Sequence, residues 1–242
     1  MTPLLFSAVF LAYVVKGLCG FANTLVFGTV MSFSRDNLAV SPLDLVLSFP
    51  ANFVLAWKNR KQISFRTCIP LCLIMLAGST AGTFLLKNGS PAIVKILFGI
   101  VITGVSSYLF YGEYHPGTGA MHPAVLALIG AAAGVMSGMF GIGALLAAYI
   151  GQTSKDDSEF KGNINFIFFV ENVFRMILYP ATGILTLELF REGLMLLPVM
   201  AAGLCTGMVI AEKMNGKLLK KAVIIALLLS GVSLVITSAL KL

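Results

Sequence analysis

Residues 123–150 read PAVLALIGAAAGVMSGMFGIGALLAAYI, 28 positions without a charged side chain. A helix crossing the roughly 30 Å hydrocarbon core of a bilayer needs about 20 apolar residues. This stretch exceeds that length, and Gly138-Met-Phe-Gly141-Ile-Gly143 interrupts it. Glycine lets helices approach closely in a membrane, and it also lets a helix break. The expectation is a membrane segment broken near its centre.

The rest of the chain has the same character. Of 242 residues, 58% are hydrophobic and 11% charged, and the mean hydropathy is +0.94. Soluble domains carry about 25% charged residues. Pro3–Val15, Ala92–Phe110 and Ala222–Leu240 are further runs with almost no charge. The class is an all-α integral membrane protein with lipid around it. The apolar exterior is compatible with a monomer or a homo-oligomer. The N-terminal run lacks a basic leader region and matches a later segment, so it is expected to be mature structure and not a cleaved signal.

The net charge is +7. The basic residues sit in short runs beside apolar spans, which is the positive-inside pattern. No stacking or basic-groove pattern accompanies them, so nucleic acid is not the expected partner. The cysteines, Cys19, Cys68, Cys72 and Cys205, form no C-x-x-C pair and have no histidine cluster beside them; no metal site and no cofactor are expected. Nucleotide-binding loops, zinc-protease motifs and a Ser-His-Asp constellation are also missing, so the chain does not read as an enzyme or an ATP-driven pump.

The apolar segments fall into two sets of four: roughly 3–33, 41–57, 67–87 and 92–111, then 123–151, 163–180, 193–212 and 221–240. The polar, Gly/Pro-rich stretch 112–122, with His115 and His122, separates residues 1–111 from 123–242. Four features recur in order: Gly17-x-x-Gly20 with Gly138-x-x-Gly141, Asn52 with Asn172, Gly78-x-x-x-Gly82 with Gly203-x-x-x-Gly207, and Gly104-Val-Ser106 with Gly231-Val-Ser233. Such duplication is common in transporters.

Lys58, Arg60, Lys61 and Arg66 crowd the loop after the second segment of the first half; in the second half Lys213, Lys217, Lys220 and Lys221 come one loop later. With eight plain crossings these loops would lie on opposite sides. If the first segment of each half is a re-entrant hairpin, both become cytoplasmic and the repeats are inverted. The competing reading is a long kinked helix in each half and parallel repeats.

Two half-helix N-termini meeting near mid-membrane favour an anion, because their N–H groups are unpaired and the helix dipole is positive there. Candidate substrate-lining residues are therefore Gly20, Phe21, Ala22, Asn23 and Thr24, with Gly141, Ile142, Gly143 and Ala144. Glycines that merely pack helices are the alternative. Arg175 lies in the apolar run Phe166–Tyr179, four residues after Glu171. That spacing puts both on one helix face, and charge at this depth faces protein or a water-filled cavity. Arg175 then attracts the anion and Glu171 balances it or carries a coupling proton, unless the two form a purely structural pair. Ser48, Asn52 and Asn172 add hydrogen-bonding groups. Lys16 is expected to snorkel to an interface. Asp36 and Asp44 are placed at the outer water interface, and Lys155–Glu159 in a solvated loop.

The run Gly20-Phe-Ala-Asn-Thr-Leu-Val26 resembles the first-repeat Gly-Phe-Gly-x-x-Leu-Val motif of the sulfite exporter TauE/SafE family. Ser137-Gly-Met-Phe-Gly-Ile-Gly143 is similar to its second-repeat Ser-Gly-x-x-Gly-Ile-Gly-Gly-Gly motif. The likeness spans nearly the whole chain. The glycine run is cut here to Gly-Ile-Gly-Ala, and the proline that usually follows each motif is missing. The resemblance implies a secondary transporter of small sulfur-containing or organic anions, of the sulfite and sulfonate class, in a prokaryotic inner membrane. A passive anion channel and a non-transporting scaffold or receptor are the other function classes.

Overall fold

The structure is a computed structural model; it describes residues 2–90, 123–143 and 154–213, with isolated positions between them. Ala144, segments 92–111 and 221–240 and the linker with His115 and His122 lie outside the described residues, apart from single helical positions. Among the described residues there are seven α-helices, one short 3₁₀ turn and no strand: α1 (Pro3–Cys19), α2 (Asn23–Ser32), α3 (Asn37–Lys58), α4 (Phe65–Asn88), α5 (Pro123–Phe140), α6 (Asp157–Thr182) and α7 (Leu187–Lys213). Stretches of α3, α4, α6 and α7 are each long and apolar enough to cross a membrane. Side chains such as Ile177 and Met195 stand 69% and 67% exposed, as a lipid-facing surface requires.

Helix ends follow local chemistry. Pro3 opens α1, where its missing N–H costs nothing. The Asp156 side chain accepts from the Glu159 N–H (2.8 Å), so α6 starts at Asp157, ahead of the apolar segment expected from 163. Gly183, at φ +76°, stops it.

Contacts fix the directions of the helices. Arg35, just before α3, forms a two-pronged ion pair with Glu192 in the opening turns of α7 (2.9 and 2.8 Å). Lys58 and Glu212 meet at the other ends of the same helices (3.4 Å). α3 and α7 therefore run parallel. α6 runs against α3: Ser41 touches Tyr179 at one end, and Asn59 packs against Gly162 at the other. α4 runs with α6, from Ser64 beside Asn163 to Ser79 beside Glu171. The basic loop Lys58–Arg66 and the C-terminal end of α7 consequently share one face of the molecule.

α1 lies along α7, in the same direction, and α5 lies along α4. Close approach demands glycine at both crossings. A Cβ on Gly78 would stand 2.5 Å from the Ala131 carbonyl oxygen, and one on Gly203 would stand 2.6 Å from that of Phe10. Further along, Gly82 abuts Val135 and Gly207 abuts Val14. The Gly-x-x-x-Gly pairs are thus seats for the opening helices, each reaching across to the other part of the chain.

Segment 3–33, expected to be broken at its glycines, is two helices. Gly20 (φ +81°) ends α1, and Ala22 (φ 72°), the one non-glycine residue with positive φ among those described, precedes α2. α2 packs back on α1, and both contribute to one apolar cluster with α3 and α7 that includes Leu5, Tyr13, Phe27, Met31, Leu43 and Leu196. α5 likewise ends at Gly141 (φ +76°).

Candidate functional site

The two breaks meet. Thr24, in the first turn of α2, approaches Gly141 so closely that a Cβ there would lie 3.1 Å from its methyl group. Between the breaks and helices α3 and α6 is a small cavity of about 20 Å³. The first N–H groups of α2 have no intrahelical acceptor, and Phe21–Leu25 line the cavity from that end.

Of the residues singled out in the sequence, Phe21, Ala22, Asn23, Thr24, Ser48, Asn52, Gly141, Ile142, Gly143, Glu171 and Asn172 all line this space. Gly20 stands just behind, its carbonyl accepting from Asn165 Nδ2 (2.9 Å). Arg175 is not on the wall. It lies behind Gly141, where a Cβ would come 3.3 Å from Nη1.

Lys16 does not snorkel. It is 1% exposed, lines the cavity, and donates from Nζ to Asn23 Oδ1 (3.0 Å). α2 folds back over α1 and seals Lys16 from any interface. The same fold-back corrects the placement of Asp44, which is 2% exposed. Its carboxylate accepts from Tyr13 Oη (3.3 Å), Asn23 Nδ2 (3.2 Å) and the Thr24 hydroxyl. Asp36, by contrast, is exposed, as are Lys155, Asp156 and Asp157.

A second network centres on α6. Arg175 Nε is 3.6 Å from Glu171 Oε1, both side chains being 2% exposed. Arg175 Nη2 donates to Ser41 Oγ (2.8 Å) and to the Tyr179 hydroxyl, which donates onward to the Gly138 carbonyl (2.8 Å). Glu171 Oε1 also accepts from Ser79 Oγ (3.0 Å). Asn172 satisfies both ends of its amide in one orientation: Oδ1 accepts from Phe49 N (3.3 Å), Ser48 Oγ (3.0 Å) and Asn52 Nδ2 (2.9 Å), while Nδ2 donates to Glu171 Oε2 (3.2 Å).

Among the described residues the buried charged side chains are Lys16, Asp44, Glu171 and Arg175, two of each sign. Isolated buried charges are costly, and pairing with hydrogen-bonding partners offsets that cost. Sequence reasoning passed over Tyr13, Ser41, Asp44, Ser79 and Tyr179 in these networks. A signal was present: Ser41, Asp44, Ser48 and Asn52 recur at three- and four-residue spacing, a polar stripe down one face of α3. No group of three or more His, Cys, Asp or Glu side chains able to hold a metal occurs among the described residues.

Comparison with curated proteins and with solved structures gave no match. A protein-family model does match, over residues 5–234. That span takes in both glycine breaks, the cavity between them and all seven helices but their extreme N-terminus. The chain belongs to the sulfite exporter TauE/SafE family.

Proposed function

We propose that this membrane protein is a secondary transporter of small sulfur-containing or organic anions, bound where the two broken segments meet. The observation that carries the reading is the cavity itself. It joins a buried amine, Lys16, to the start of α2, whose first N–H groups have no intrahelical acceptor, inside a protein whose family is one of membrane anion transporters. Both features favour negative charge. The prokaryotic inner membrane is the location we assign.

We read residues 1–111 and 123–242 as inverted repeats joined by 112–122, each opening with a re-entrant hairpin. Support comes from direction: α3 and α6, the second elements of the two halves, run antiparallel, as do α4 and α7. The face shared by the loop Lys58–Arg66 and the C-terminal end of α7 agrees with positive-inside topology. Alternating access then moves one broken segment, together with the helix it is seated on, against the other.

Charge balance supports proton coupling. With all four side chains ionised, two cations and two carboxylates sum to zero, and an arriving anion then leaves the site negative unless a proton accompanies it. Glu171 lines the cavity and Asp44 does not, so Glu171 is the group we assign to carry it. In proteoliposomes, Glu171→Gln should abolish the dependence of anion uptake on a pH gradient; retained dependence would exclude Glu171.

The test of the class is thermal unfolding of the purified protein against sulfite, sulfate, thiosulfate, sulfoacetate, taurine, small carboxylates and chloride. A ligand at 100 times its Kd adds about 2.7 kcal/mol of stability. Stabilisation by one sulfur oxyanion or sulfonate is expected. A cooperative melt that no anion shifts would remove the reading. Counterflow in proteoliposomes then separates a carrier from a channel.

A further inference from the structure

The cavity wall is not uniformly suited to an anion. Asn52 is 2% exposed and lines the cavity, and its Oδ1 has no hydrogen-bond partner. The orientation of that amide is set by its neighbours. The Phe49 backbone N–H, which can only donate, points at Asn172 Oδ1 (3.3 Å). Asn172 Oδ1 is therefore an acceptor, and Asn52 must offer it Nδ2 (2.9 Å). Rotating the Asn52 amide would set two acceptors against each other. Oδ1 is left over as a buried acceptor with nothing to accept, and leaving such a group unmet is unfavourable.

Elsewhere the same cavity offers donors: the Lys16 ammonium and the N–H groups opening α2. An occupant that meets both needs negative charge or acceptors at one end and a hydrogen-bond donor at the other. We propose that the ligand is a small anion that also carries a hydroxyl or amino group, and that Asn52 is the residue that selects for it. Resting on the anion-binding reading above, this narrows the substrate class from any small anion to bifunctional ones. A site built to pair with a donor rejects analogues that lack it more strongly than a purely apolar pocket does, because the protein group is then stranded.

Matched ligand pairs test this on the full chain in detergent. Dissociation constants are measured by titration calorimetry for 2-hydroxyethanesulfonate against ethanesulfonate, and for hydroxyacetate against acetate. The hydroxyl-bearing member of a binding pair should be held about tenfold more tightly or better, the scale of one buried hydrogen bond. In Asn52→Ala the ratio should fall to about one. Equal affinities in the wild-type protein would overturn the proposal while leaving the anion reading in place. A preference that survives in Asn52→Ala would overturn the assignment to Asn52. If none of these anions, nor any in the panel above, binds a cooperatively folded protein, both readings fail together. The wild-type comparison is decisive even if the alanine variant does not fold.

Discussion

Replacing Arg175 by methionine keeps an unbranched stem of similar reach and removes the charge. Arg175 is 1% exposed, so the change deletes a cation from the interior while leaving Glu171 and Asp44 where they are. Glu171 keeps hydrogen bonds from Ser79 and Asn172, but loses the guanidinium 3.6 Å away. Ser41 and Tyr179 lose a shared donor but keep the hydrogen bond between their hydroxyls. Breaking a buried pair from one side costs about 3–5 kcal/mol, mostly because the remaining charge is stranded. For a chain of this size each kcal/mol moves the melting temperature by about 2–4 °C, so a fall of roughly 6–20 °C is expected in detergent. Glu171→Gln alone should also destabilise, since it strands Arg175. Together the two substitutions remove both charges, and the double variant should be more stable than the sum of the singles by about 1–3 kcal/mol. Calorimetry of the four proteins completes the cycle. A melting temperature within about 2 °C of wild type for Arg175→Met, or strict additivity in the double variant, would refute the view that these side chains form a mutually dependent buried pair.

The glycine crossings make a paired prediction: Gly78→Ala and Gly203→Ala should each destabilise by about 1–3 kcal/mol, as overpacking does, and by similar amounts, because each new methyl meets a backbone carbonyl that cannot step aside. Thermal unfolding reads both; a neutral result at either position would mean the helices separate easily. Ala22→Gly should raise stability by about 0.5–1 kcal/mol, since φ 72° strains an L side chain and not glycine; a lower melting temperature would contradict the backbone described for the break. In a cysteine-free background, Arg60→Cys and Glu212→Cys should react with an impermeant thiol reagent from the same side of the membrane, and Glu188→Cys from the other. Opposite-side labelling of Arg60→Cys and Glu212→Cys would overturn the parallel arrangement of α3 and α7.

The spans and the breaks were legible in the sequence because their signals are local. Hydropathy over 20 residues marks α3, α4, α6 and α7 without knowledge of neighbours, and paired glycines mark Gly20 and Gly141. Most of the cavity wall followed, since it is built from residues adjoining those breaks. What escaped was depth combined with facing. Lys16 and Asp44 stand near the ends of apolar runs, where a charge ordinarily reaches water. Only the return of α2 over α1 encloses them, and no short window of sequence encodes that return. Arg175 shows the converse: its burial was readable from its apolar flanks, but its position behind Gly141 and not on the wall depends on where α5 ends.

The seating of α1 on α7 also governs how the protein is made. Gly17 lies against Gly207, so α1 acquires its neighbour only after α2 to α6 have been made. Until then the Lys16 ammonium has α2 and α3 beside it, and the second break across the cavity arrives only with the end of α5. Contacts this distant in sequence slow folding. A nascent chain cut before α7 should therefore leave α1 unseated and open to proteolysis, and a separately supplied second half should be able to rescue it. The seat of α1 is closed only once α7 has been made.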